Sequence, residues 1–145
     1  VQAAVGLVQL KKLDAFVEAR RRLALNRHQM LQGIPEIELP IEPSDRKHTY
    51  YLYTVLVKKE WAREKRDKVI EIMDKKYGIK CIVANPPCYQ TRKILKHHTK
   101  CQRLPRSNQI GKRLLCVPIH PAMSDGDNAY IAAALTETIC KIKAS

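Results

Sequence analysis

The chain has 145 residues, and its 27 Lys and Arg side chains against 14 Asp and Glu leave a formal net charge of +13. A chain of this length forms one domain with a hydrophobic core. With 45% hydrophobic residues and only 5 Gly and 8 Pro, the composition excludes a disordered tail, a collagen-like chain and a disulfide miniprotein. No run approaches the roughly 18 apolar residues that span a bilayer, so we expect no membrane partner.

The first half of the chain predicts a long helix followed by two strands. Apolar residues recur at helical spacing from Ala3 to Met30, and Gly33 lies where a left-handed residue would end that helix. Residues 34–39 predict a short strand. Residues 48–57 are rich in aromatic and β-branched side chains and predict a longer strand.

The middle of the chain predicts a helix, a strand and a turn. An apolar stripe runs through residues 61–77, and Gly78 supplies the stop. The short apolar run at 79–84 predicts a third strand, which the paired prolines at 86–87 end.

The last third predicts further helices around a short extended piece. We expect about one helical turn at 91–98 and a helix from an N-cap at Ser107 to Leu115. Residues 116–121 predict the extended piece, and Ser124 with Asp127 resembles a capping box that opens the final helix. The order of elements predicts an α+β domain over residues 1–145, with a small antiparallel or mixed sheet of about three strands.

Cysteine usage indicates a reducing compartment. The five cysteines are an odd number scattered over half of the chain, unlike a secreted disulfide framework, so we expect free thiols in a cytoplasmic protein. Cys88, His97, His98 and Cys101 form the densest group of soft metal ligands. Their spacing lacks the C-x2-C pairs of tetrahedral zinc sites, so we predict no metal centre.

The positive charge is concentrated in one segment. Residues 89–113 carry eight Lys and Arg side chains and no Asp or Glu. Such a segment is typical of proteins that bind nucleic acid or a phosphorylated ligand. A single Phe, a single Trp and the absence of a nucleic-acid-reading motif make nucleic acid the less favoured partner. A small anionic substrate fits the same charge, and a solvated surface stays open as a third interpretation.

Several motifs occur in an order that resembles one enzyme family. The segments QAAVGLVQLKKLD, HTYYLYTVLV, EIMDKKYGIK, ANPP and LLCVPIHPAMSD, followed by the final helix, resemble the C-terminal part of the DegT/DnrJ/StrS aminotransferases. These enzymes use pyridoxal phosphate (PLP), have the aspartate-aminotransferase fold and mostly aminate keto-sugars attached to nucleoside diphosphates. The resemblance covers nearly the whole chain.

The resemblance implies that the catalytic groups lie in a second, larger domain. In the family, the lysine that holds PLP and the acid that faces its ring nitrogen lie in a large N-terminal domain, and no lysine here matches that position. The chain is thus expected to be the small domain, with no catalytic or cofactor-binding residue of its own and no transaminase activity alone. Its implied partners are its own large domain, a second copy in a homodimer and a small anionic substrate.

Three residues are candidates for the substrate pocket. The family loop Arg-Val-His-Tyr-Pro-Pro-Leu-His corresponds to residues 82–89, where the prolines match but the Arg and both His are replaced. Asn85 and Tyr89 remain as polar groups, and Arg92 follows them at the start of the basic segment. We interpret His120 as a structural turn residue. The alternative to the enzyme interpretation is a free-standing basic module that binds nucleic acid or a phosphorylated partner.

Overall fold

The computed structural model describes residues 1–84, 86–99 and 102–144, with the backbone alone at Gln90. Within these residues the chain forms an α+β domain in which a three-stranded antiparallel sheet packs against helices. The predicted fold class is confirmed.

The N-terminal segment forms two helices, α1 (Gln2–Leu10) and α2 (Leu13–Leu31). The sequence predicts one continuous helix, but the Lys12 N–H donates to the Gln9 carbonyl at 3.0 Å, an i→i−3 bond that interrupts the α-helical pattern. Gly33 has a φ of 87°, as expected for a residue just beyond a helix end. α1 therefore stands as a separate helix.

The sheet consists of β1 (Ile37–Glu38), β2 (Tyr53–Val57) and β3 (Leu114–Val117), in that spatial order. Both pairings are antiparallel. Alternate residues of β2 are fully buried, and this pattern places one face of the strand in the core.

Three predicted strands are shorter in the structure. The strand predicted at 34–39 is reduced to Ile37–Glu38. The strand predicted at 48–57 begins only at Tyr53, because Tyr50 adopts a φ of 47° and its N–H donates to His48 Nδ1 at 2.9 Å. The strand predicted at 79–84 contributes a single bridge, Ile82 with Cys116. Pro86 and Pro87 have no N–H to continue that ladder.

Helix α3 (Glu64–Tyr77) follows a 3-10 turn at Lys59–Trp61 and ends at Gly78 in the left-handed conformation, as predicted. Two short helices come next, α4 (Cys88–Thr91) and α5 (Lys93–His98).

Helix α6 (Pro105–Arg113) begins two residues before the predicted N-cap at Ser107. The prediction was wrong because a proline at the first helical position has the right φ and needs no hydrogen-bond acceptor. Leu114 and Leu115 continue into β3 instead of the helix.

Helix α7 (Asp125–Ala144) begins at the predicted capping box. Ser124 Oγ accepts the Asp127 N–H at 3.0 Å, and the Asp127 carboxylate accepts the Ser124 N–H at 3.4 Å. α7 then packs against α2 and α3. The core lies between these three helices and the sheet, and its fully buried residues include Leu23, Leu31, Val55, Val69, Met73, Leu115, Leu135 and Ile139.

Candidate functional site

Tyr89 is held against α6. Its side chain is half-buried on α4, and its hydroxyl donates a hydrogen bond to Asn108 Oδ1. Arg92 separates α4 from α5, and its side chain is exposed. Asn85 lies outside the described residues. The structure therefore anchors one of the three predicted substrate residues to the domain and leaves Arg92 open to solvent.

The segment before Tyr89 is fixed by a close contact between the ring of Pro87 and the backbone of α6 at Gly111. Pro87 packs on α6 at Gly111, where a built Cβ would lie 2.7 Å from Pro87 Cδ and 2.9 Å from Pro87 Cγ. No side chain fits between the two residues without a shift of the proline ring. Gly111 and Pro87 thus set the distance between α6 and the segment that carries Tyr89.

Replacing Gly111 by alanine is expected to lower the free energy of unfolding by about 1–2 kcal/mol, because overpacking outweighs the better helix propensity of alanine. Urea unfolding followed by circular dichroism measures the change. Gly126→Ala is the matched control, since its Cβ meets only Ser124 Oγ at 3.7 Å. We expect this control to be neutral or stabilising by up to about 1 kcal/mol. Equal changes in the two variants would contradict the packing argument.

The C-terminal end of α6 is bonded to neighbouring elements by arginines. The buried Arg66 donates from Nη1 to the carbonyls of Leu114 at 2.6 Å and Gly111 at 3.3 Å. Arg113, also buried, donates from Nε to the Val57 carbonyl at 2.6 Å and pairs with a carboxylate of β1. These bonds hold α6 in one orientation relative to the sheet.

An unusual backbone conformation at Arg63 accompanies a hydrogen bond to the same C-terminal end of α6. Arg63 has a φ of 64°, a value that non-glycine residues rarely adopt, and its N–H donates to the Lys112 carbonyl at 2.8 Å. The turn before α3 is therefore joined directly to the last turn of α6.

Arg27 is a buried cation that the sequence analysis did not single out. Its side chain is fully buried on α2, and its guanidinium donates to Asn128 Oδ1 at 2.9 Å and to the Pro118 carbonyl at 2.8 Å. The sequence does carry a signal, because Leu23, Arg27 and Leu31 recur every four residues on one helix face. A charge on that apolar stripe indicates a buried network.

No metal centre is visible in the parts of the chain that the structure describes: no three His, Cys, Asp or Glu side chains are grouped to hold an ion. The rings of His97 and His98 contact each other edge to face, with centroids 5.5 Å apart. Cys101, the last of the four residues considered above as zinc ligands, lies outside the described residues.

None of the described helices is long and apolar enough to cross a membrane.

Comparison with known proteins places the chain in a family. The model of the DegT/DnrJ/EryC1/StrS aminotransferase family matches residues 1–136. The chain belongs to this family. It is 31% identical over 131 residues to a dTDP-4-dehydro-2,3,6-trideoxy-D-glucose 4-aminotransferase of Saccharopolyspora spinosa, covering 90% of this chain and 32% of that protein. It is 29% identical over 140 residues to the spore coat polysaccharide biosynthesis protein SpsC of Bacillus subtilis, covering 96% and 36%.

A solved structure has the same fold. S. venezuelae DesV superposes with a TM-score of 0.83 and 26% identity, covering 95% of this chain and 36% of that one. The chain therefore spans about a third of the length of the DegT-family relatives that it matches.

The described residues do not fit the PLP cofactor of the DegT family. A lysine that forms a Schiff base near neutral pH needs an environment that lowers its pKa, such as a desolvated pocket. The buried charged residues here are Arg27, Glu36, Arg66 and Arg113, and no lysine of the described part is among them. We therefore assign no PLP-binding role to the described residues.

Two of the buried thiols are poor nucleophiles. Burial raises the pKa of Cys81 to about 12 and also raises the pKa of Cys116. A thiol with a raised pKa is protonated at neutral pH and does not attack substrate. The structure thus gives no support for cysteine chemistry at these two positions.

Proposed function

We propose that this chain is the C-terminal small domain of a PLP-dependent DegT-type aminotransferase that aminates a keto-sugar or related ketone carried by a nucleoside diphosphate. The observation that supports the proposal is the extent of the family match. It covers nearly all of this chain but only about a third of each curated relative. The remaining two thirds of the relatives' length is where the PLP lysine and the acid for the ring nitrogen would lie.

Helix α1 provides the surface for that larger domain. None of its residues is buried, although its sequence QAAVGLVQL is strongly apolar. Leu7, Val8 and Leu10 each expose more than half of their side-chain surface. A continuous apolar helix face is costly in water, and burying each such side chain contributes about 1.5–3 kcal/mol. The occupant that we assign to this face is the large domain of the same polypeptide.

The substrate-facing surface follows from the charge and from the fixed segment on α6. Tyr89 is held by Asn108, and Arg92 extends into solvent with no ion pair to any described residue. A guanidinium binds phosphate oxygens in a bidentate manner. Asn85, Tyr89 and Arg92 are therefore the residues that we assign to the anionic substrate. The complete enzyme would act as a homodimer in the cytoplasm.

The test uses the complete reading frame that contains this chain. The purified product is assayed for PLP-dependent amination of nucleotide-linked keto-sugars, beside the 145-residue chain alone, which we expect to be inactive. Arg92→Gln is expected to raise KM for the keto-sugar nucleotide about tenfold with little change in kcat, because a substrate-binding charge is lost. Arg46→Gln is the control, since Arg46 is exposed and, among the described residues, its side chain pairs only with Asp45.

Two outcomes would contradict the proposal. A reading frame without a PLP-binding domain, or equal KM values in the two arginine variants, would remove its support. The alternative of a free-standing basic module predicts tight, salt-dependent binding of nucleic acid by the chain alone.

A further inference from the structure

The segment 42–50 lies in the connection between β1 and β2 and is attached to α2 by polar contacts. Arg21 on α2 donates from Nη1 to the two oxygens of the Glu42 carboxylate at 2.8 and 3.0 Å and to the His48 carbonyl at 2.7 Å. The His48 backbone N–H donates to the same carboxylate at 3.1 Å. Charge-assisted bonds of this kind are the stronger hydrogen bonds of proteins. Arg21 therefore joins both ends of the segment to α2.

Tyr50, the last residue of this segment, has an unfavourable backbone conformation. Its φ of 47° lies in the left-handed region, which non-glycine residues rarely adopt. Its side chain is buried in the core and stacks on Tyr53, with ring centroids 6.3 Å apart. Its N–H donates to His48 Nδ1 at 2.9 Å. A strained residue persists only where its surroundings hold it, and here the ring packing and the bond to His48 hold Tyr50.

The acceptor of this hydrogen bond is an atom that a proton can block. Nδ1 of histidine accepts only while it is unprotonated, so His48 must be neutral, with its ring hydrogen on Nε2. A protonated imidazole carries a hydrogen on both nitrogens and can only donate. The Nδ1–H of a protonated His48 would face the N–H of Tyr50, donor against donor. Because histidine changes its charge between pH 5 and 8, mild acid removes this bond.

We infer that His48 is a pH-sensitive switch for the segment 42–50. Protonation of Nδ1 breaks the bond from Tyr50, the Tyr50 backbone leaves the left-handed conformation, and the segment opens away from α2. A cleft of about 400 Å³ already lies between α2 and this segment, with Leu25, Ile41 and Tyr50 in its walls. The opening therefore begins at a loosely packed boundary. The inference goes beyond the proposed function and does not depend on it.

The other ionisable groups around His48 keep their charge state in this pH range, except for one histidine. The hydrogen bond from Arg21, and after it the bond from the His48 N–H, lowers the pKa of Glu42, which stays a carboxylate. His28 on α2 lines the same cleft and is the other group that titrates in mild acid. The charged and titratable groups that contact this segment or line its cleft are Glu18, Arg21 and His28 on α2, Glu42, Asp45, Arg46, Lys47 and Tyr50 in the segment, and Tyr53 on β2.

The experiment follows the 145-residue chain by nuclear magnetic resonance from pH 8 to pH 5. The nitrogen chemical shifts of the His48 ring identify which nitrogen carries the hydrogen. Hydrogen–deuterium exchange gives the protection factor of the Tyr50 amide, relative to its intrinsic exchange rate at each pH. We expect the Nε2–H tautomer at pH 8 and a loss of protection of about tenfold by pH 5, with the same midpoint as the titration of the His48 ring.

Asparagine at position 48 separates hydrogen bonding from titration. Its side-chain oxygen takes the place of Nδ1 and accepts the N–H two residues further on, as in an Asx turn, but it does not titrate. His48→Asn is therefore expected to keep the Tyr50 amide protected at both pH values. His48→Ala is expected to lose about tenfold in protection already at pH 8. His28→Gln removes the other histidine of the cleft and is the matched control, which should keep the pH dependence of the parent chain.

Four results would overturn the inference. The first is a His48 ring with its hydrogen on Nδ1 at pH 8, because the Tyr50 N–H would then lack this acceptor. The second is a loss of Tyr50 protection in His48→Asn as large as that in the parent chain. The third is the disappearance of the loss in His28→Gln. The fourth is a loss that occurs only below the pH range of the His48 titration, which would indicate Glu42. None of these results bears on the aminotransferase assay, so the two proposals fail independently.

Discussion

Replacing Arg27 by alanine is expected to lower the free energy of unfolding by about 4 kcal/mol, the largest effect of any single substitution proposed for this chain. Two costs add. The substitution leaves the buried Asn128 Oδ1 and the part-buried Pro118 carbonyl without their donor, and it opens a cavity beneath α2. An unsatisfied buried acceptor costs about 1–3 kcal/mol.

The environment of Arg27 contains no carboxylate partner in the described contacts. Its guanidinium donates to two oxygens and to Met123 Sδ at 3.4 Å, and it lies 5.0 Å from the centroid of the Tyr53 ring. Burial lowers the pKa of Arg27 to about 10, so the group stays charged at neutral pH. The charge is thus held by dipoles and a ring face rather than by an ion pair.

Two further variants separate packing from hydrogen bonding. Arg27→Met keeps most of the volume and loses the donors, so we expect a loss of about 2 kcal/mol. Arg22→Ala on the same helix removes an exposed pair with Asp125 and is expected to cost less than about 1 kcal/mol. Urea unfolding at pH 7 measures all three variants. Similar losses for Arg27→Ala and Arg22→Ala would show that the buried network contributes nothing.

Local signals in the sequence were sufficient where the chain itself supplies both partners. The Ser124–Asp127 box and the Gly78 stop each join residues at most a few positions apart, and both were predicted. The aromatic and β-branched residues of β2 likewise predicted a strand from that segment alone. Such features depend on local geometry, so their prediction needs no knowledge of the fold.

The Arg27 network could not be predicted in the same way. Its partners Asn128 and Pro118 lie about a hundred residues away along the chain, and only the packing of α7 on α2 brings them together. The stripe of Leu23, Arg27 and Leu31 indicates burial but not the partners. Tyr50 is a similar case, since a string of β-formers continues through a residue whose backbone is left-handed.

The sequence predicted which segment carries the candidate site, but not how the side chains of that site are arranged. The acid-free segment 89–113 was evident from counting charges. The contact of Pro87 with Gly111 was not, because a glycine inside a helix carries no sign of what lies against it. The sequence also could not show which arginines are buried and hydrogen-bonded and which are exposed, because the residue type is the same in both cases. Tertiary packing decides which charges remain free for a ligand.

Alkaline pH is expected to destabilise the fold by about 1.4 kcal/mol per pH unit between pH 9 and pH 12. Burial raises the pKa of Cys81 from 9.0 to about 12 and the pKa of Tyr53 from 10.0 to about 12. Both groups are acids whose neutral form is favoured in the folded state. Their stabilising effect is complete below the unfolded pKa and is lost as pH rises through the folded one.

The titration of Arg27 offsets part of this loss of stability at alkaline pH. Its pKa falls from 12.5 to about 10 in the folded protein, so between these values the unfolded chain binds more protons and stability rises with pH. From pH 9 to 10 the loss is due to Cys81, together with the smaller effect of Cys116. Above pH 10 the contributions of Tyr53 and Arg27 act in opposite directions, and the slope due to Cys81 persists.

The experiment measures urea unfolding of the reduced chain at half-unit steps from pH 7.5 to 10.5. Cys81→Ala is expected to remove most of the decline between pH 9 and 10, at the cost of a lower stability at pH 7.5. Cys140→Ala, an exposed thiol on α7, is the matched control and should keep the decline of the parent chain. If the free energy of unfolding of Cys81→Ala declines with pH as steeply as that of the parent chain, the buried thiol is not the group that titrates. The alkaline sensitivity must then originate elsewhere in the fold.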